Sequence, residues 1–164
     1  MNCPWCNQEK MKYIKYKGKE VDRQLYEDDY TYVLVPKESH VKHHLIVVLK
    51  KKKQEKHRAG LMQCNSDDLT HIGKTIYKFC SKLKKLPYSY DTVYSGCFSD
   101  AGHVHYHLFP LNIDRDKGYK GCAISWLSEK ECRSESNSFK KMTHKAKLKR
   151  LSEIESIVRE LIDK

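Results

Sequence analysis

The chain has 164 residues, 32% of them charged, and a mean hydropathy of -0.77. This length fits one domain with an adequate core, and its longest apolar runs, YVLV and LIVV, are far shorter than the roughly 20 residues of a membrane span. The formal net charge of +11 excludes an acidic protein and favours phosphate-bearing partners. Seven cysteines and no secretory signal in the sequence as given predict an intracellular protein, cytoplasmic or nuclear.

The first third of the chain predicts a hairpin and two strands. Residues 11–21 alternate in polarity and break at Gly18, which is typical of a short hairpin. Runs rich in β-branched and aromatic residues predict strands over Tyr30–Val35 and His44–Leu49. Because only a polar stretch separates these two runs, we expect them to be antiparallel neighbours.

A long amphipathic helix follows. Apolar residues recur at helical spacing between Leu69 and Leu83, and Pro87 marks a stop. Asn65 or Ser66 is the candidate N-cap, so the predicted helix covers Ser66–Lys84.

The second half predicts two more strands and a terminal helix. The strands cover Tyr90–Phe98 and His103–Phe109, with Pro110 as the end of the second, and Asn112–Gly121 is predicted to be a loop. From Phe139 onward one apolar stripe predicts a helix, through Leu148, Leu151, Ile154, Ile157, Val158, Leu161 and Ile162. The fold class is therefore α+β, with an antiparallel sheet of about five strands, a main helix and an added C-terminal helix. We predict one domain over residues 1–132 and a basic, amphipathic helical extension over 133–164.

Three histidines at alternate positions, His103, His105 and His107, carry the strongest chemical signal. On a strand they share one side, whereas a helix would spread them around its circumference. Three buried imidazoles would each need a partner, and three exposed ones would be a coincidence. The row therefore favours either a metal site or a phosphate site in which one neutral ring acts as nucleophile.

The segment from His103 to Phe109 resembles the signature of the histidine triad family, in which three histidines alternate with apolar positions. The resemblance extends over roughly Cys3–Glu131 and implies the family's α+β fold. It also implies hydrolysis or transfer of nucleotides at the α-phosphorus, with a dinucleoside polyphosphate or a nucleoside phosphoramidate as the substrate class. Nucleic-acid-end processing is an alternative, and so is a non-catalytic, zinc-stabilised protein that binds nucleotides or nucleic acid.

Matching the motif assigns residue roles by resemblance. His105 would be the nucleophile that forms a nucleotidyl-histidine, and His107 would contact the phosphate and assist the leaving group. Further substrate contacts are expected from Ser99 and His44. The chain departs from the family pattern at Asp100, at Leu111, where many members carry arginine, and near Pro36, where an acidic residue often binds the ribose.

The opening motif Cys3-Pro-Trp-Cys6 has the spacing of half a zinc site. The zinc-bearing branch of the family adds a histidine after a turn and the first histidine of the triad, which correspond here to His57 and His103. The resemblance therefore implies a structural zinc ion on Cys3, Cys6, His57 and His103. His43, His44 and His71 are alternatives for the third ligand. The other five cysteines, at 64, 80, 97, 122 and 132, are expected to be inert.

Lysine and arginine are concentrated in two segments, Leu49–Arg58 and Phe139–Arg150. Such segments are typical of solvated surface, and they also suit binding of nucleic acid. The resemblance further implies a homodimer.

Overall fold

The computed structural model describes residues 3–39, 41–50, 57–98, 102–112 and 139–162. This part of the chain contains a two-stranded hairpin, a five-stranded antiparallel sheet and two long helices, which confirms the predicted α+β class and the C-terminal helix. The helices are α1 (Gln8–Lys12), α2 (Ser66–Lys84) and α3 (His144–Ile162), with 3-10 turns at Pro4–Cys6 and Leu61–Gln63. None of the helices in the described residues is long and apolar enough to span a membrane.

The strands follow one another along the chain with short connections in the first half. They are β1 (Tyr13–Tyr16), β2 (Lys19–Asp22), β3 (Gln24–Glu27), β4 (Thr31–Leu34), β5 (Leu45–Leu49), β6 (Thr92–Phe98) and β7 (His105–Leu111). β1 and β2 form the predicted hairpin, and its turn has positive φ at Lys17 and Gly18, as a two-residue hairpin loop requires. The large sheet has the order β3-β4-β5-β7-β6, so β7 lies between β5 and β6.

The main helix has the predicted bounds because its N-terminus is capped. The Asn65 side chain accepts from the Asp68 N–H, and the Asp68 carboxylate accepts from the Asn65 N–H, which completes a capping box. The face that α2 turns to the sheet buries Ile72, Phe79 and Leu83. Each apolar side chain removed from water here contributes about 1.5–3 kcal/mol to folding.

The two faces of the sheet have different coverings. Side chains such as Val33, Val47 and Leu108 point to the helical face, where α2 and the apolar stripe of α3 complete one core. The opposite face carries Ile46 and Val48, which belong to a smaller cluster packed against the N-terminal segment. Because α3 shares the main core with the sheet, its buried stripe is satisfied within this chain.

The triad segment differs from the prediction at both ends. The strand begins at His105, so His103 precedes it, directly after Gly102 with its positive φ of 62°. It also continues through Pro110 to Leu111. β5 pairs with β7 only as far as Leu108, so proline occupies a position where one side of the strand makes no ladder bonds.

One other difference from the sequence prediction concerns a strand. The short strand β3 was not predicted separately, because QLYE lacks the β-branched run that marks β4 and β5. Most of the predicted loop Asn112–Gly121 lies outside the described residues, and the division of the chain at residue 132 stays a prediction.

Candidate functional site

Four side chains from distant parts of the sequence converge beside the start of β7. Sγ of Cys3 and Sγ of Cys6 each lie 3.6 Å from Nδ1 of His103, and Sγ of Cys6 lies 3.2 Å from Nδ1 of His57. The four candidate ligand atoms all lie within 4.8 Å of one another. The 3-10 turn brings the cysteines together, since the Cys6 N–H donates to the Cys3 carbonyl.

These separations suit a tetrahedral metal ion. Zinc bonds of about 2.3 Å to sulfur and about 2.0–2.1 Å to nitrogen, set at a tetrahedral angle, put sulfur and nitrogen about 3.6 Å apart. The two cysteine–His103 distances have this value. Two thiols and two imidazoles are also the donor set that zinc prefers.

The outer nitrogens of both imidazoles already have protein partners. Nε2 of His103 donates to the Leu49 carbonyl at 2.6 Å, and Nε2 of His57 contacts the Gly102 carbonyl. Nδ1 of each ring is thereby directed to the cluster with its lone pair available. Burial lowers the pKa of His103, which keeps this ring neutral, as a metal ligand must be.

The segment that carries His57 is fixed by the start of α2. The Arg58 guanidinium pairs with the buried Asp68 carboxylate, which also belongs to the capping box. The Arg58 carbonyl accepts from the Val104 N–H at 3.1 Å. The cluster is therefore supported by the helix on one side and by the triad segment on the other.

His105 is the first residue of β7 and points away from α2. Its cross-strand neighbour is Val48, on the face opposite the two long helices. Nδ1 lies 2.8 Å from the carbonyl oxygen of His103. Because a carbonyl can only accept, Nδ1 carries the proton, and the neutral ring has its lone pair on Nε2. The side chain is 3% exposed.

His107 follows on the same face, with its ring centroid 5.1 Å from that of His105. Nδ1 of His107 lies 2.8 Å from Nε2 of His44, the residue just before β5. The ring of Phe109 packs against His44 at 4.4 Å. β7 and the residue just before β5 thus supply a hydrogen-bonded histidine pair, His44 and His107, beside His105.

Trp5 connects the two groups of side chains. It lies between the two cysteines of the motif, and its indole stacks on His105 at 4.7 Å with an interplanar angle of 19°. The Tyr32 hydroxyl donates to the Trp5 carbonyl at 2.7 Å. A ring stacked in this way covers one face of the imidazole.

Two solved structures with a similar arrangement of strands and helices are histidine triad proteins. A zinc-bound histidine triad family protein from Mycobacterium smegmatis superimposes with a TM-score of 0.54 at 11% identity, over 99% of this chain and 97% of the other. A hypothetical histidine triad nucleotide-binding protein from Sulfolobus tokodaii gives 0.51 at 16% identity, over 97% and 91%. This chain has the histidine triad fold.

The histidine triad resemblance stated from the sequence is therefore confirmed at the level of the fold. No family model and no curated protein matches the sequence. The evidence for the fold is thus structural similarity at low identity together with the motif of β7.

The structure brings most of the site residues predicted from the sequence close together. It brings His57 to the cysteine pair, whereas His43 contacts Tyr90 and His71 stacks on Tyr30. His44 lies against His107. Ser99 and Asp100 lie outside the described residues, and Leu111 is buried at the end of β7.

Sequence reasoning missed Trp5, and it offered His43 only as an alternative metal ligand. The position of Trp5 between two candidate metal ligands is the signal that could have placed it in the site. No pattern indicates the contacts that His43 makes, because they are with side chains far away in the sequence. Burial raises the pKa of Cys64, Cys80 and Cys97, which fits their predicted inertness. Cys122 and Cys132 lie outside the described residues.

Proposed function

We propose that the protein is a nucleotide hydrolase or nucleotidyl transferase that works through a covalent nucleotidyl-His105. The observation that supports this most directly is the hydrogen bond from Nδ1 of His105 to the His103 carbonyl. It fixes the tautomer whose Nε2 can attack phosphorus near neutral pH. The substrate class is a dinucleoside polyphosphate or a nucleoside phosphoramidate.

We assign His107 the complementary state. With Nε2–H of His44 as donor to Nδ1 of His107, the neutral His107 would carry its proton on Nε2. His105 would then offer a lone pair and His107 a proton, the division that acid–base catalysis requires. Because His105 is almost fully buried, groups around it must shift to admit the substrate.

The proposed reaction has two displacements at the α-phosphorus. Nε2 of His105 forms a P–N bond while the bond from phosphorus to the leaving group breaks, and His107 gives its proton to the leaving group. Water then attacks phosphorus, the P–N bond breaks, and the proton of the water returns to the histidine pair. The products are a nucleoside monophosphate and the free leaving group, so the enzyme is regenerated. Dividing the reaction through the adduct lowers the barrier of each step.

His105→Ala removes the nucleophile, so we expect the kcat for AMP release from a diadenosine polyphosphate and from adenosine phosphoramidate to fall by about 10³-fold or more. His71→Ala is the matched control, because His71 lies on α2 and stacks on Tyr30. The control is expected to retain the wild-type rate. Equal rates for His105→Ala and wild type would contradict the proposal and favour a non-catalytic binding protein.

We further propose that Cys3, Cys6, His57 and His103 bind a structural zinc ion. Two thiolates and two imidazoles complete a tetrahedral shell and leave no position for water, so the ion would stabilise the fold. The support is the set of donor distances and the outer hydrogen bonds of both imidazoles. With the ion bound, His103 would fix the start of the strand that carries His105.

Purified protein is expected to contain one equivalent of zinc by metal analysis. Cys6→Ala should lose it and lower the free energy of unfolding by about 3–4 kcal/mol, the linkage for an ion present at 100 to 1,000 times its dissociation constant. Cys80→Ala, at a half-buried cysteine of α2, is the control that should keep zinc. Wild-type protein that lacks zinc, and whose stability is unchanged by a chelator, would refute this site.

A second function, binding of nucleic acid, is favoured by one specific observation. The basic segment before and within the first half of α3 lies against the hairpin of β1 and β2. The Tyr16 hydroxyl is 3.1 Å from Nδ1 of His144, and the Lys147 ammonium lies 5.1 Å from the Tyr16 ring centroid. The segment contains no acidic residue, and its cations are Lys140, Lys141, Lys145, Lys147, Lys149 and Arg150. The predicted basic segment Leu49–Arg58 lies for the most part outside the described residues.

Lys17→Glu combined with Lys145→Glu should weaken binding of a single-stranded oligonucleotide. The slope of log K against the logarithm of the salt concentration should also fall in magnitude by about 1–2. Fluorescence anisotropy across a salt series measures both quantities. Lys74→Glu combined with Lys84→Glu, on exposed positions of α2, is the control of equal charge. A flat salt profile in the wild type would contradict this function.

The homodimer and the cytoplasmic or nuclear location stay predictions.

A further inference from the structure

His43 has a backbone conformation that needs an explanation. Its φ is 58°, in the left-handed region that a residue with a Cβ atom rarely adopts. The side chain is fully buried. A strained residue at such a position persists only where its surroundings hold it, so the contacts of the ring show what holds this one.

Two side chains from other parts of the chain hold the His43 ring. Nδ1 lies 2.5 Å from the Tyr90 hydroxyl, just before β6, and Nε2 lies 3.0 Å from Oε2 of Glu160 in the last turn of α3. A neutral imidazole has one donor and one acceptor. With the Tyr90 O–H donating to Nδ1 and Nε2–H donating to Glu160, both are satisfied.

The carboxylate of Glu160 is itself held in place. Oε1 accepts from the Ser156 hydroxyl at 2.9 Å, and the Lys42 ammonium lies 3.9 Å from the same oxygen. The Lys42 ammonium also lies 3.7 Å from the ring centroid of Tyr88, which packs against His43 at 4.8 Å. The anchor of His43 is therefore a network across α3 and the segments before β5 and β6.

The next residue along the chain is His44, whose Nε2 lies 2.8 Å from Nδ1 of His107. The dihedral angles of His43 determine the direction in which the chain presents His44. We propose that His43 is a positioning residue, which Tyr90 and Glu160 hold in the left-handed conformation so that His44 meets His107. Through Glu160, the C-terminal helix α3 thereby helps to orient the histidine pair. The catalytic consequence rests on the proposed function, whereas the geometric one does not.

Substitution of Glu160 tests the anchor without changing any histidine. In Glu160→Ala, we expect the imidazole ¹⁵N resonances of His107 and His44 to shift and kcat to fall by about tenfold, with KM within about twofold of wild type. Glu160→Gln keeps an oxygen that accepts from Nε2–H of His43. In this variant the resonances of His44 and His107 and the kcat should therefore stay close to those of the wild type.

The matched control is Glu155→Ala, on the same helix. Glu155 pairs with Lys19 of β2 at 2.9 Å, so its loss removes an ion pair of α3 without touching His43. It should leave the His107 resonances and kcat unchanged. A general loosening of α3 would affect both alanine variants alike.

The inference is overturned if Glu160→Ala and Glu155→Ala give the same His107 resonances. It is also overturned if an active enzyme keeps its kcat in Glu160→Ala. If the wild type releases no AMP while Glu160→Ala still moves the resonances, the positioning role stands and the proposed enzymatic function fails.

Discussion

His103 connects the metal-ligand cluster to the candidate nucleophile through three of its own atoms. Nδ1 faces Cys3 and Cys6, Nε2 donates to the Leu49 carbonyl, and the main-chain carbonyl accepts from Nδ1 of His105. A shift of this one residue would therefore change the cluster, the contact with the last residue of β5 and the tautomer of His105 together. In the proposed function, the first histidine of the triad thus has a supporting role, and the two that follow carry the chemistry.

Alternate side chains of the triad segment lie on opposite faces of the sheet, and the two sets have different roles in the proposed function. Val104 and Leu108 face the helical core, so packing holds the backbone while His105 and His107 project from the other face. The same backbone thereby gives rigidity and places reactive groups. Trp5 extends the connection, because the turn that holds the two cysteines also sets an indole on His105. The candidate metal centre and the candidate catalytic centre are consequently one structural unit.

Local patterns in the sequence were sufficient for the longer elements, and the resemblance of the histidine motif supplied the main site residues. The bounds of α2 follow from Asn65 and its apolar spacing, and the alternation of β7 follows from its own residues. Features set by distant contacts could not be predicted. The role of Pro110 depends on where β5 stops pairing, and the conformation of His43 depends on a helix that begins about a hundred residues later. The selection of His57 among several histidines likewise requires the folded chain.

The tautomer of His105 is the property on which the account depends most, and ¹⁵N NMR of the histidine side chains measures it directly. Long-range proton–nitrogen correlation on the intact, labelled protein, recorded where the ring is neutral, distinguishes the two nitrogens. The account predicts that Nδ1 of His105 carries the proton and that Nε2 has the chemical shift of an unprotonated nitrogen. A proton on Nε2 would contradict the account, because the ring would then have no lone pair available for attack on phosphorus.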